Sequence, residues 1–92
     1  MIAGFRHKGL RRFFESDDAR QLPADMLVRI RDILFLLDSA KAVEDLSRPT
    51  LKLHPLKGQM KGFWAVTVRA NWRIIFRFED GKALDVDFLD YH

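Results

Sequence analysis

Residues 63–92 read FWAVTVRANWRIIFRFEDGKALDVDFLDYH, and their alternation decides the fold. Trp64, Val66 and Val68 fall at every second position, as do Ile74, Phe76 and Phe78, and then Leu84, Val86 and Phe88. Period-two patterning marks strands with one buried face, because successive side chains of a pleated chain point to opposite sides. Three strands are expected, Phe63–Arg69, Trp72–Glu79 and Ala83–Leu89, with those nine residues facing a helical layer. The register of the last hairpin is constrained. A two-residue Asp80-Gly81 turn alone sets Phe76 opposite Asp85 and mixes the faces. Keeping Phe76 opposite Val86 requires an odd loop count or a bulge. That register leaves Arg69, Arg73, Ile75, Arg77, Asp85 and Asp87 on the open face. Arg77 then opposes Asp85, and Arg73 opposes Leu89, which leaves Arg73 the arginine most free to meet a ligand.

Upstream, the period changes. Ile2 to Phe5 reads as a short first strand. Leu10, Phe13 and Phe14 fit helical spacing and predict a helix over 7–16 with its basic residues outward. Pro23 suits the first turn of a second helix over 24–39. Leu27, Ile30, Leu34 and Leu37 mark its apolar face, and Ile33 and Phe35 widen it. A helical turn is expected near Val43–Leu46. Residues 47–62 hold Pro49, Pro55, Gly58 and Gly62 and read as a long loop, a kind usually functional or disordered. The expected architecture is α+β, with two N-terminal helices packed on a mostly antiparallel sheet of about four strands, in one domain over 1–92.

Composition narrows the class. Ninety-two residues make one domain, and 48% apolar content excludes a disordered chain. With no cysteine, neither disulfides nor cysteine-held zinc contribute. No apolar run approaches the ~20 residues of a membrane span, and the first residues lack a signal-peptide layout. A cytoplasmic protein is expected. The net charge is +3 and the sequence pI about 9.6, but the distribution is more telling. From Leu46 to Phe78 there are seven basic side chains and no acid: Arg48, Lys52, Lys57, Lys61, Arg69, Arg73 and Arg77. Arg6, Lys8, Arg11 and Arg12 form a second block. Such patches are the footprint of a polyanionic partner.

The last strand runs directly into Asp90-Tyr91-His92, a carboxylate, a phenol and an imidazole. Cutting RNA by transesterification requires a base for the 2′-OH, an acid for the departing 5′-oxygen, and cations for the developing phosphorane. Candidates are His54, Lys57, Arg73, Asp90, Tyr91 and His92. Histidine has its ordinary pKa near neutrality. Arginine offers a planar donor fork for phosphate. Tyrosine hydrogen-bonds or stacks on a base. Trp64 and Trp72 read as core or rim aromatics. No P-loop, GxGxxG or metal-ligand spacing is present.

These residues resemble a known family, the RelE/ParE toxin superfamily, and within it the HigB branch of host-inhibition killer proteins. The resemblance runs through Phe5-Arg6-His7-Lys8-Gly9-Leu10, Leu53-His54-Pro55-Leu56-Lys57-Gly58, Asn71-Trp72-Arg73, Phe76-Arg77-Phe78 and the ending Leu89-Asp90-Tyr91-His92. It implies a toxin of a type II toxin-antitoxin system that acts as a ribosome-dependent endoribonuclease. Such a toxin cleaves mRNA in the A site without a metal or other cofactor, and a HigA-like helix-turn-helix antitoxin neutralises it. Through that antitoxin it also meets operator DNA. The family's active-site positions fall on His54, Lys57, Arg73, Asp90, Tyr91 and His92. The implied roles are His92 or Asp90 on the 2′-OH, His54 on the leaving group, and Arg73 with Lys57 on the phosphate. Lys52, Lys61, Arg6, Lys8, Arg11 and Arg12 complete the expected RNA and ribosome surface. Position 88 is Phe where relatives often carry Tyr, and as a core-face residue it leaves the chemistry unchanged. Two readings compete. One is a ParE-like toxin that inhibits DNA gyrase by binding, which needs no histidine at position 54 or 92. The other is a basic module that only grips a nucleic-acid backbone, which leaves the terminal triplet unexplained.

Overall fold

The structure, a computed structural model, describes residues 1–91, and the expectation for His92 lies outside them. Helix α1 spans Lys8–Ser16 and α2 spans Leu27–Ser39. Strands β1 (His54–Pro55), β2 (Trp64–Arg69), β3 (Trp72–Glu79) and β4 (Lys82–Asp90) form an antiparallel sheet in that order.

A side chain opens α1 and main-chain groups close it. His7 stands just before α1, where its Nδ1 accepts from the Leu10 N–H at 3.1 Å and satisfies a donor the helix leaves orphaned. Asp17 ends the helix in the left-handed region at φ 56, where its N–H reaches the Phe13 carbonyl and the Asp18 N–H reaches that of Arg12. Pro23 leads into a 3-10 turn, Ala24–Met26, that feeds α2. The α2 seam of Ile30, Ile33, Leu34 and Leu37 meets Leu10 and Phe13 of α1. Val66, Val68, Ile74, Phe76, Val86 and Phe88 close the core from the sheet. Burying a side chain of this size contributes about 1.5–3 kcal/mol. Phe35 does not widen the buried face and is 71% exposed. It lies one residue past Leu34, about 100° around the helix. Phe14 is also exposed and leans on the Phe5 ring at 5.7 Å.

The last hairpin combines both devices considered from the sequence. Asp80 (φ 52) and Gly81 (φ 75) make a two-residue turn in left-handed geometry, with Glu79 paired to Lys82. A bulge then follows at Asp85 (φ 52), where the register shifts between Ile75 and Arg77. Leu84 therefore pairs with Arg77 on the open side and leaves its expected core place to Ala83. Beyond the bulge Val86 and Phe88 return to the core, and Arg73 pairs with Leu89 as expected. The Arg77–Asp85 ion pair forms at 2.9 Å, and Glu79 is a second partner of Arg77.

Two other expectations change. Residues 2–5 are not a strand of the sheet. Ile2 and Phe5 make single parallel bridges to Ala83 and Val86, because the bulge between those two residues interrupts the edge they would follow. The fourth strand is instead β1, inside the expected loop, where Pro55 is tolerated at an edge. Arg69 also leaves the open face. A shift between Thr67 and Arg69 pairs it with Trp72 on the helix side, and it binds Asp25 at 2.6 Å.

The open face has a small core of its own. Leu56 and Phe63, at either end of a loop carrying the 3-10 turn Gly58–Met60, bury Ala65 and Ile75 with help from Met60 and Leu89.

Candidate active site

Strand pairing decides which candidates share a face. His54 pairs with Ala65, whose side chain belongs to the open-face cluster. Arg73 pairs with Thr67 on one side and Leu89 on the other. His54 and Arg73 therefore share the open face. They are separated by two strand spacings and two residues of rise, about 12 Å between Cα atoms. The ground between them is Ala65 and Thr67, both short side chains.

Each of the two is held by main-chain carbonyls. The His54 Nδ1 lies 2.9 Å from the Lys52 carbonyl. A carbonyl only accepts, so Nδ1 carries the hydrogen and Nε2 is the nitrogen left for a proton from or to a ligand. Lys52 adopts the left-handed region, φ 51, in presenting that carbonyl. Arg73 donates Nη1 to the carbonyls of Ala70 at 2.6 Å and Trp72 at 3.2 Å. Carbonyl anchors orient a guanidinium without cancelling its charge. Arg69 and Arg77 are instead engaged by carboxylates, those of Asp25 and Asp85 among the described residues.

The C-terminal residues are tied to the turn that holds Arg73. Asp90 pairs with Trp72 at the end of β4, and the Tyr91 N–H donates to the Asn71 carbonyl at 2.7 Å. Strand pairing puts Leu89 on the Arg73 side and Asp90, opposite Trp72, on the other. The expectation that the whole triplet gathers at Arg73 thus divides. Tyr91 is tied by its main chain to Asn71 in the turn before Arg73, Asp90 stands on the opposite side of the strand end, and His92 lies outside the described residues. Trp72 stacks on Phe88 at 4.6 Å and is a rim aromatic.

The cations also divide. Lys57 immediately precedes the 3-10 turn that covers the open-face cluster, and Lys61 immediately follows it; both are exposed. Arg6 lies over the Phe63 ring at 5.3 Å, which brings it to the same cluster. Lys8 opens α1 beside the His7 cap. Arg11 faces Glu15 at 4.0 Å, and Arg12 donates to Gln21 at 2.9 Å. These last two have partners on α1 and in the loop that follows it.

Residues 3–92 match the family of HigB-like toxins, described as the RelE-like toxin of type II toxin-antitoxin system HigB. The chain belongs to this family. Membership in the HigB-like family makes it the toxin of a type II pair, with an antitoxin as partner. The Endoribonuclease HigB of Proteus vulgaris is 47% identical over 92 residues, covering all of both chains. Toxin HigB-1 of Vibrio cholerae serotype O1 is 34% identical over 94 residues, covering all of this chain and 98% of that one. Solved structures add the fold. The YoeB-YefM toxin-antitoxin complex of Staphylococcus aureus aligns with a TM-score of 0.62 at 16% identity, covering 100% of this chain and 98% of that one. The YoeB/ParE toxin of Agrobacterium tumefaciens aligns with a TM-score of 0.55 at 20% identity, covering 97% and 99%.

Two features of this HigB-like site had no signal in the sequence. One is the cluster of Leu56, Phe63, Ala65 and Ile75, whose members are too scattered to show a period. The other is Arg29, a cation within the apolar pattern of α2 that reaches main-chain carbonyls near the site.

Proposed function

We propose that this endoribonuclease toxin cuts mRNA in the ribosomal A site by metal-independent transesterification. The RNA 2′-oxygen attacks the adjacent phosphorus. The P–O bond to the 5′-oxygen breaks, leaving a 2′,3′-cyclic phosphate and a free 5′-hydroxyl. His92 or, from the other side of the strand end, Asp90 takes the 2′-OH proton, and His54, protonated at Nε2, gives one to the departing 5′-oxygen. Arg73 and Lys57 stabilise the phosphorane, and Tyr91 holds the nucleotide. The observation that carries this reading is the pairing of an exposed imidazole with a carbonyl-anchored guanidinium on one open sheet face. Cations beside that face suit a phosphate backbone. Arg6, Lys52 and Lys61 extend the grip on RNA and ribosome, with Lys8, Arg11 and Arg12 on the neighbouring helix.

The antitoxin is HigA-like, with a helix-turn-helix that carries the complex to operator DNA. The toxin works in the cytoplasm, where its ribosomes are; no helix among the described residues is long and apolar enough to cross a membrane. Mapping 5′ ends on ribosome-bound mRNA after induction tests the reading. New ends at a constant offset from the A site are expected. Intact ribosome-bound mRNA, with growth arrest and loss of DNA supercoiling, would instead support the ParE-like binding reading.

A further inference from the structure

Strand β2 is longer than the strand that borders it. β1 has two residues, paired with Trp64 and Ala65. Past its end the Thr67 N–H donates to the Leu51 carbonyl at 2.8 Å, so Thr67 turns its main-chain polar groups toward this outer edge. The β2–β3 register shifts between Thr67 and Arg69, which disturbs pairing for Val68 as well. Main-chain carbonyls at such an edge require donors. Here the donor comes from the helical layer. Arg29 of α2 directs Nε to the Val68 carbonyl at 3.2 Å, and Nη2 to the carbonyls of Thr67 at 3.1 Å and Thr50 at 2.6 Å. One half-buried guanidinium joins three carbonyls on two chain segments.

Each segment leads to the site. Thr67 is the cross-strand neighbour of Arg73. Thr50 begins the short run through Leu51 and Lys52 whose carbonyl at Lys52 holds His54 Nδ1. We infer that Arg29 is a positioning residue for the reaction, setting the separation between the His54 run and the Arg73 hairpin. This rests on the roles proposed for His54 and Arg73. Arginine suits the task because its planar fork fixes several donor directions at once, whereas lysine presents one compact ammonium.

The test uses the full-length toxin on ribosomes carrying mRNA. Single-turnover cleavage, ribosome affinity and thermal melting are measured for Arg29→Met, Arg29→Lys and, as a control two residues along α2, Arg31→Met. Both Arg29 variants are expected to cleave about tenfold to a hundredfold more slowly, the scale of an ångström of misplacement. Ribosome affinity is expected to stay that of wild type, and Arg31→Met to keep the wild-type rate. In a His54→Ala background Arg29→Met should slow cleavage much less than it does alone, because a group that is absent needs no positioning. Wild-type rates in both Arg29 variants would overturn the inference, as would full additivity with His54→Ala. Loss of folding in both variants would also overturn it and make Arg29 a structural clamp. A His54→Ala protein that cleaves normally removes the catalytic reading itself. A slow His54→Ala beside a normal Arg29→Met removes the inference alone.

Discussion

The two faces of the sheet are built differently. Among the described residues, eighteen buried ones form one continuous cluster on the helix side and four do on the open side, so most of the hydrophobic stabilisation is gathered on the first. The open face carries His54, Arg73 and their neighbouring lysines. The contrast teaches that the chain keeps its stability away from the face on which the chemistry is proposed. Charged groups stay hydrated where the sheet is uncovered, and desolvation penalties are avoided. The Leu56–Phe63 loop is the exception. It spends a little apolar surface on the open face and thereby fixes Lys57, Lys61 and, through Phe63, Arg6.

Breaking the buried face should have the largest effect. Phe76 is fully buried beneath the helices. Phe76→Ala should cost about 3–5 kcal/mol, and denaturant unfolding would measure it. A drop below about 1 kcal/mol would mean that the two faces share the load. Breaking the open face should separate activity from stability. His54 is exposed, so His54→Ala should melt like wild type while single-turnover cleavage falls by roughly a hundredfold. A parallel loss of melting temperature and rate would erase the distinction between the faces.

Salt dependence sharpens the boundary of the open face. Arg6 sits over Phe63 beside that face, whereas Arg12 is held by Gln21 on α1. Removing one phosphate contact to a single strand lowers the slope of log affinity against log salt by about 0.7. Arg6→Ala should do so, and Arg12→Ala should flatten the slope less. Equal changes would place α1 and the sheet in one footprint.

The smallest effect lies away from both faces. The guanidinium and N–H of Arg20 hydrogen-bond Asp18 and hold its carboxyl at about 2, down from 3.8. A lowered carboxyl contributes stability above its unfolded pKa and loses it as pH falls through the folded one. Melting of wild type and Asp18→Asn should therefore differ at neutral pH. The two should converge as pH falls from 3.8 toward 2. A constant gap would show that the Arg20 contact does not act through ionisation.

Much of this was legible from residue order. The alternation of residues 63–89 announced three strands. The 27-30-34-37 spacing announced α2. The pairing of Arg73 with Leu89 followed from keeping apolar residues on one side. The errors came where a single residue changes the count. Leu84 and Ala83 exchange places because Asp85 is an extra residue in the strand, and Arg69 changes side for the same kind of reason at Val68. A bulge costs little locally and flips everything beyond it, so alternation alone does not locate it. The site was legible as a set of residue types, but not as an arrangement. His54 and Arg73 lie far apart in sequence and share one open face.

By itself, then, the residue order determined the two helices and the three long strands, the acid-free basic stretch, and which side chains were candidates to act on RNA. These are properties of local spacing and side-chain type. Only the tertiary structure decided that residues 54–55 would be the bordering strand, and that His54 and Arg73 would share a face with short side chains between them. It also decided that Arg29 would cross from the helical layer to hold both approaches. Those facts depend on contacts between distant segments, such as Arg29 with Val68 and Thr50. Their free energy comes from satisfying carbonyls that an edge leaves open, and nothing in the spacing of residues along the chain records it.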